Sequence, residues 1–207
     1  MKLDFKKTQK DLYLPPTTPV VIDVPTMSFI AVNGKGDPNT SEEYAMALQL
    51  LYGLSYTIKM SHKDVLEYVV PPLEGFWSVD DDSYRGGEAI QDKSKFFWKM
   101  MLRQPEFVTP AIFEIAKESL AKKKPGIDTS LAVVEEITEG LCAQVMHIGP
   151  YDDEPRTTSA LHSFILESGY LPDFEDGREH HEIYISDPRK TAPDRLKTVL
   201  RHPIRKA

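Results

Sequence analysis

Hydrophobic and polar residues follow two different periods along this chain, and the periods predict strands and helices in a definite order. Residues 27–32 carry the β-branched and aromatic side chains that are typical of a strand. Between residues 44 and 60, apolar residues recur at helical spacing and fall on one stripe. Residues 75–79 and 96–102 predict two strands of a hairpin across a long acidic loop, and residues 110–122 predict a second helix.

The second half of the chain repeats the order of the first. Its predicted elements are a strand over residues 141–149, a helix over residues 156–168, and strands over residues 181–186 and 196–204. In both halves a glycine followed by acidic residues and proline separates the first strand from its helix, and about 110 residues separate the two glycines, Gly36 and Gly149. The repeated order indicates an internal duplication of a β-α-β-β unit.

The duplication predicts one pseudo-symmetric α+β domain over residues 25–207, built from repeats of about 25–125 and 126–207. We expect antiparallel sheets that carry their helices on one side. Residues 1–24 are predicted to form an extended arm, because three closely spaced prolines favour an extended path. Since the sheet faces away from the helices are also apolar, we expect them to meet across a central ligand cleft.

Composition narrows the class of protein. Of the 207 residues, 41% are hydrophobic and 28% are charged, which is typical of a globular chain with a core. The net charge of −7 disfavours binding to nucleic acid. The single cysteine, Cys142, excludes an internal disulfide. No apolar run reaches the ~18 residues that a membrane span requires, and no signal peptide is evident, so we expect a cytoplasmic protein, either a monomer or a homodimer.

Several familiar catalytic motifs are absent from the sequence. It contains no Walker loop and no G-x-S-x-G elbow, and Cys142 lies among apolar residues, where a buried inert thiol is favoured over a nucleophile. A metal site remains an alternative, because five side chains can supply ligands: His147, His162, His180, His181 and Glu182. Their spacing matches no tight metal signature, so we expect neither a metal nor a cofactor.

Two polar residues stand out in the predicted strand over residues 181–186. Because side chains alternate along a strand, Ile183 and Ile185 share one face, and Glu182 and Tyr184 share the other. Isoleucines belong beneath the helices, which directs Glu182 and Tyr184 toward the cleft. Glu182 is either a solvated acid on an edge strand or a carboxylate among aromatic rings, where it binds a cation or a polarised ligand atom.

Aromatic residues crowd both strands of the predicted hairpin: Phe76, Trp77, Phe96, Phe97 and Trp98. Alternate residues of a strand face opposite ways, so these rings cannot all enter one core and some must line the cleft. Four tyrosines can contribute too, although their positions are also typical of core packing: Tyr44, Tyr52, Tyr56 and Tyr68. As a group, the rings favour a planar apolar ligand over packing alone.

The second half also resembles the GyrI-like small-molecule-binding family. The resemblance is strongest over residues 147–154 (HIGPYDDE), 161–170, 182–188 (EIYISDP) and 196–204, and it extends from about residue 20 to the C-terminus. It implies tandem β-α-β-β repeats of the SHS2 type with a ligand cleft between them. In ligand-sensing members a glutamate at the base of an aromatic cavity meets planar cationic drugs, and Glu182 matches that glutamate.

The resemblance also implies a function. The chain shows no DNA-binding domain, so we expect no direct role in gene regulation. Stand-alone relatives with a similar aromatic hairpin include enzymes that open the cyclopropane of DNA-alkylating spirocyclopropyl drugs by adding water. Trp77 and Trp98 make this chain similar to those cyclopropanoid hydrolases, which implies detoxification of such compounds. The alternative is a protein that binds or sequesters amphipathic aromatic cations without turnover.

The residue roles that follow from this resemblance concern a planar aromatic ligand, neutral or cationic. Glu182 and Tyr184 are the expected catalytic residues: Glu182 activates the water, and Tyr184 hydrogen-bonds the water or the ligand's carbonyl. The expected ligand-binding residues are Trp77, Trp98, Phe76, Phe97, Tyr56, Tyr68 and Tyr151.

Overall fold

A computed structural model describes residues 2–79, 92–175 and 177–207. Within them the helices are α1 (Phe5–Thr8), α2 (Lys10–Tyr13), α3 (Glu42–Ser61), α4 (Pro110–Lys123) and α5 (Glu154–Glu167). The strands are β1 (Val20–Val24), β2 (Met27–Lys35), β3 (Leu73–Val79), β4 (Phe96–Arg103), β5 (Val133–Ile137), β6 (Gly140–Ile148), β7 (Tyr170–Pro172), β8 (His180–Tyr184) and β9 (Lys197–Lys206). The predicted loop between β3 and β4 falls mostly on residues 80–91, outside the described residues.

The strands form one continuous antiparallel sheet in the order β1-β6-β9-β8-β3-β4-β2-β5, and β7 adds to β9. The duplication is visible in this order. Strands β2, β4 and β3 occupy places in the first half that β6, β9 and β8 occupy in the second. The α+β fold with antiparallel strands is therefore confirmed. The first strand of each half pairs with a strand of the other half: β1 pairs with β6, and β5 pairs with β2.

The two halves do not face each other as separate sheets, which corrects the predicted geometry of the cleft. They join edge to edge through β3 and β8, whose register runs from Leu73 opposite Tyr184 to Trp77 opposite His180. Pairing satisfies the backbone N–H and C=O groups that an open edge strand would leave unpaired. The ligand space consequently lies on one face of a shared sheet rather than between two sheets.

Helices α3 and α5 cover the same face of this sheet, one for each half. α3 begins after Ser41, whose side chain accepts a hydrogen bond from the backbone N–H of Tyr44 and so caps the helix. α3 and α4 pack on β2 and β4 through a core that includes Leu54 and Phe113. α5 packs on β6 and β9 through a separate core that includes Leu161. Between α3 and α5 the sheet is left open at the β3–β8 joint.

The N-terminal segment covers the opposite face of the sheet, which corrects the predicted extended arm of residues 1–24. It forms the short helices α1 and α2, and then strand β1 at the sheet edge. Phe5, Leu12 and Tyr13 are buried there with Ile183. The segment folds because its apolar residues cover a sheet face that would otherwise be exposed to water. Ile183 thus lies beneath α1 and α2, and not beneath the long helices as expected.

A buried cluster of charged side chains joins the N-terminal segment to the sheet. His181 contacts both Glu74 (3.2 Å) and Glu139 (3.0 Å). Arg201 donates to Glu139 and to the carbonyl of Leu12 in α2. Burial alone lowers the pKa of His181, but the charge of Glu139 outweighs it and the pKa is raised. His181 and Arg201 therefore lie directly against two buried carboxyl groups, and Arg201 and Glu139 form an ion pair inside the protein.

Candidate functional site

Two glycines allow the tryptophans to lie flat on the sheet. Gly34 in β2 is paired with Trp98 in β4, and a β-carbon at Gly34 would lie 2.1 Å from the indole ring. Gly75 in β3 is similar, because a β-carbon there would lie 3.0 Å from Nε1 of Trp77. The rings therefore occupy space that any other residue would fill. Gly75 is also paired with Glu182, and a β-carbon there would lie 2.8 Å from Sδ of Met100 as well, so the side chains beside the carboxylate pack directly over the Gly75 backbone.

Glu182 lies at the floor of the open region, on the joint between the two halves. Its side chain is 14% exposed. Oε2 accepts a hydrogen bond from the hydroxyl of Tyr184 (2.6 Å), and Oε1 contacts Nε2 of His180 (3.1 Å). Both partners belong to β8 and lie two residues away on the same face. The carboxylate is therefore held in one orientation by its own strand.

Tyr184 links the carboxylate to the aromatic wall. Its hydroxyl donates to Glu182 and accepts a hydrogen bond from Nε1 of Trp77 (2.9 Å). Burial, and next the charge of Glu182, raise the pKa of Tyr184 well above its usual value. The phenol consequently keeps its proton and remains a donor to Glu182.

The contacts of two buried histidines determine their tautomers. His180 Nδ1 lies 2.7 Å from Nε2 of His202, and both rings are shielded from solvent. Burial, and then neighbouring His180 and His162, lower the pKa of His202 well below its usual value, so that ring is neutral. Nε2 of His180 faces the carboxylate of Glu182, which can only accept hydrogen bonds, so Nε2 carries the hydrogen of that contact. His180 thus presents an N–H to Glu182.

A second carboxyl group lies beside the first. Glu154 is the first residue of α5 and is only 6% exposed. Its Oε1 is buried and has no hydrogen-bond partner among the described residues. Burial, and next the charge of Glu182, raise the pKa of Glu154 well above its usual value. The site therefore holds two carboxyl groups side by side, and one of them is deeply buried.

These groups open onto a cavity of about 1380 Å³, which is larger than the ~300–1,000 Å³ of common small-molecule sites. Aromatic side chains surround the carboxylate, and those that line the cavity include Tyr44, Trp77, Phe96, Tyr151 and Tyr184. Trp77 meets Phe96 edge to face, with ring centroids 5.3 Å apart, and Tyr151 meets Tyr184 at 5.8 Å. Such walls fit a flat apolar ligand whose polar group faces Glu182.

The structure brings together five of the nine residues that were predicted to be catalytic or ligand-binding. Those that line the cavity are Glu182, Tyr184, Trp77, Tyr56 and Tyr151. Tyr56 lies on α3, farther along the groove, and is 50% exposed. The side-chain alternation of β8 and β3 places Glu182, Tyr184 and Trp77 on the face that lines this cavity.

Four predicted ligand-binding residues lie elsewhere. Trp98 is 2% exposed and packs behind the wall, with its ring centroid 5.2 Å from that of Tyr44. Phe76 lies on the opposite face, against His181, because strand alternation separates it from Trp77. The same alternation separates Phe97, which is 44% exposed, from Trp98. Tyr68 is fully buried and packs on Phe107.

Sequence reasoning missed Glu154 and the role of His180. An acid in the first turn of a helix stabilises the helix dipole, so the pattern around Glu154 required no ligand. The signal was the turn that precedes it, residues 149–153, which directs the start of α5 toward β8. His180 was weighed only as a metal ligand, whereas the structure pairs it with Glu182 and His202.

Neither a cluster of metal ligands nor a membrane-spanning helix is found among the residues that the structure describes. Within residues 2–79, 92–175 and 177–207, no group of three or more His, Cys, Asp or Glu side chains is arranged to hold a metal ion. His147, for example, contacts Thr157 and the carbonyl of Pro150. In the same part of the chain, no helix is both long enough and apolar enough to span a bilayer.

The sequence of this chain matches the profile of a known protein family. The sequence profile of the GyrI-like small molecule binding domain matches residues 17–205. The chain belongs to the GyrI-like family. Small-molecule binding is the property for which this family is named. A search of curated proteins finds no match.

Two solved structures from Listeria innocua are similar to this GyrI-like chain over nearly their whole length. One is of an uncharacterized conserved protein, with 44% identity, a TM-score of 0.92, and 99% of this chain and 100% of that chain covered. The other is of a hydrolase, with 43% identity, a TM-score of 0.88 and the same coverage. The C-terminal domain of EcmrR is 13% identical with a TM-score of 0.55, covering 92% of this chain and 98% of that one, which shows the fold alone.

Proposed function

We propose that this GyrI-like protein is a hydrolase that adds water across a strained cyclopropane in a planar aromatic compound, and that it thereby detoxifies DNA-alkylating spirocyclopropyl compounds. The observation that carries the proposal is the carboxylate of Glu182, held by Tyr184 and His180 at the floor of an aromatic cavity. The similar Listeria protein that is described as a hydrolase supports an enzymatic function.

Glu182 acts as the general base in this proposal. A water molecule between Glu182 and the ligand gives a proton to the carboxylate as its oxygen attacks a ring CH₂. The bond between that CH₂ and the spiro carbon breaks, and its electron pair moves into the conjugated carbonyl, which becomes a phenolate oxygen. A positioned base contributes about 10²–10⁴-fold to the rate, and ring strain supplies much of the remaining driving force.

Tyr184 holds the base, and the aromatic rings hold the ligand. Because the Tyr184 hydroxyl already donates to Glu182, we infer that it orients the carboxylate rather than the water. Trp77, Phe96 and Tyr44 surround the space above Glu182 and bind the flat face of the ligand by stacking. Their apolar surfaces also exclude bulk water, which strengthens the electrostatic interactions at the carboxylate.

Mass spectrometry tests the proposal directly. A spirocyclopropyl dienone is incubated with the wild-type protein, with Glu182→Gln, and with Glu167→Gln as a control at the exposed end of α5. We expect a water adduct with the wild type and with Glu167→Gln, and at least 100-fold slower formation with Glu182→Gln. Adduct formation at the uncatalysed rate in all three samples would refute hydrolysis.

A second candidate function is supported by the charge of the same carboxylate. An anion among aromatic rings favours cationic ligands, through both ion pairing and cation–π contacts. On this alternative the protein sequesters amphipathic aromatic cations without turnover. Tight binding of a planar cation that is weakened by Glu182→Gln, together with no adduct from the dienone in any sample, would support sequestration over hydrolysis.

A further inference from the structure

Glu154 is a buried carboxyl group for which the function proposed above has no use. It lines the same cavity as Glu182 but belongs to a different element, since it starts α5 whereas Glu182 lies on β8. Its Oε1 is buried without a hydrogen-bond partner among the described residues, although the residue is only 6% exposed. A buried carboxyl oxygen without a partner is costly, and a polar atom of a bound ligand can remove that cost.

The surroundings of the two carboxyl groups assign them different protonation states. Glu182 accepts hydrogen bonds from Tyr184 and faces the N–H of His180, which stabilise a negative charge. The buried Oε1 of Glu154 has no hydrogen-bond partner among the described residues, although a neighbouring hydroxyl, that of Thr198, favours the ionised form of the group. Two neighbouring carboxyl groups in a shielded site resist ionising together, so one of them retains a proton. Burial, and next the charge of Glu182, disfavour the ionised form of Glu154 and raise its pKa well above its usual value, so the retained proton belongs to Glu154.

We infer that Glu154 is the general acid of the reaction in which Glu182 is the general base. Resting on the proposed function, it donates its proton to the carbonyl oxygen of the substrate as that oxygen receives the electron pair of the broken ring bond. Glu182 has by then taken a proton from the attacking water. The product leaves as an alcohol and a phenol, so one molecule of water has been added and no other reactant is consumed.

The closeness of the two carboxyl groups also resets the site. After the reaction Glu182 is protonated and Glu154 is ionised, which is the less stable arrangement, because burial disfavours a charge on Glu154, whereas Tyr184 and His180 hold donors against Glu182. Transfer of the proton from Glu182 to Glu154 restores the starting state without exchange with bulk water. The acid and base therefore form a closed pair.

This pair defines the class of substrate. The electrophilic ring must lie above Glu182, and a conjugated carbonyl oxygen must reach Glu154 at the start of α5. A planar cyclopropane-fused or spirocyclopropyl dienone meets both conditions. A strained ring that lacks a conjugated oxygen acceptor does not, and we expect the protein to bind such a compound without opening it.

A pair of probes tests proton donation apart from folding. Both are spirocyclopropyl dienones, and one carries an electron-withdrawing substituent that makes the phenol product much more acidic. In Glu154→Gln we expect turnover of the unsubstituted probe to fall by 10²–10³-fold, and turnover of the substituted probe to fall by less than tenfold, because an acidic phenol leaves without protonation. Glu167→Gln, at the other end of α5, should convert both probes like the wild type.

Each other outcome has a defined meaning. Unchanged turnover in Glu154→Gln, or an equal loss with both probes, would overturn the acid role. Absence of adducts from the wild-type protein would overturn the proposed function and this inference with it. Glu154→Gln replaces a neutral acid by a neutral amide, and its fold is checked by circular dichroism. Should that variant not fold, Glu154→Asp replaces it, with the same dependence on the probe expected in smaller measure.

Discussion

The most direct test of the site's architecture is Gly34→Ala. The added β-carbon would lie 2.1, 2.4 and 2.7 Å from three carbons of the Trp98 ring. Ordinary contacts between carbon atoms are ~3.5–4.0 Å, so the indole must move by more than an ångström or the strands must separate. Trp98 has little freedom to move, because it is 2% exposed and packs edge to face on Tyr44.

The expected loss of stability follows from that overlap. Adding one carbon to a packed core costs about 1–3 kcal/mol, and an overlap of this size against a rigid ring belongs at the upper end, about 3 kcal/mol. For a domain of ~200 residues, each kcal/mol lowers Tm by ~2–4 °C, so we expect a fall of ~6–12 °C. Because Trp98 supports Tyr44, we also expect Gly34→Ala to weaken binding of planar ligands.

The assay is urea unfolding with two further variants. Gly126→Ala is the matched control, since a β-carbon at Gly126 meets no atom within 4 Å and its φ is not positive. We expect it to be neutral or up to ~1 kcal/mol more stable than the wild type. Gly34→Ala should cost clearly less in a Trp98→Phe background, because the smaller ring leaves room. Equal stability of Gly34→Ala and Gly126→Ala would refute the packing argument.

Three other outcomes follow from the contacts of the site and of the buried cluster. Tyr184→Phe removes a hydrogen bond to a charged group, worth ~1.5–3 kcal/mol, so we expect single-turnover water addition to fall by ~10–150-fold; unchanged turnover would contradict the orienting role. His180→Leu should shift the acidic limb of the pH–rate profile to higher pH, because Glu182 loses a hydrogen-bond donor. His180→Gln keeps a donor for Glu182 and should shift the limb less. Burial alone raises the pKa of Glu139, but His181 and Arg201 lower it to about 2. Since the folded pKa lies below the unfolded value, this stability is present above about pH 4.5 and is lost as the pH falls toward 2. Urea unfolding should find Glu139→Gln less stable by ~3 kcal/mol at pH 7, with a gap that narrows below pH 4.5.

Local periodicity was sufficient to predict the β-α-β-β order of both halves, and with it the duplication. The strand and helix order of both halves appears in the structure, because apolar spacing determines which face of each element is buried. The α+β class followed from that order. Alternation along β8 likewise predicted that Glu182 and Tyr184 share a face, although in the structure that face is the one that α3 and α5 flank. These features depend on residues that are neighbours in sequence.

Features that depend on distant pairing were not predictable in the same way. Nothing near β3 or β8 indicates that these strands pair with each other, so the sequence pattern favoured two separate sheets. The N-terminal segment was predicted to be extended from its prolines, whereas its burial depends on an apolar sheet face some 180 residues away at Ile183. Glu154 was missed for a similar reason. An acid in the first turn of a helix is common, and its neighbour in space, Glu182, lies on strand β8, far from it in sequence.

The β3–β8 joint makes the site a property of both halves together. The first half supplies Gly75 and Trp77 on β3, and the second supplies Glu182 on β8 and Glu154 on α5. Neither half alone contains both the aromatic wall and the carboxyl groups. Each half alone would also expose an unpaired strand edge and lose the leading strand that its partner lends. Folding and the assembly of the site are therefore one event, and a substitution that loosens the joint should reduce stability and ligand binding in parallel.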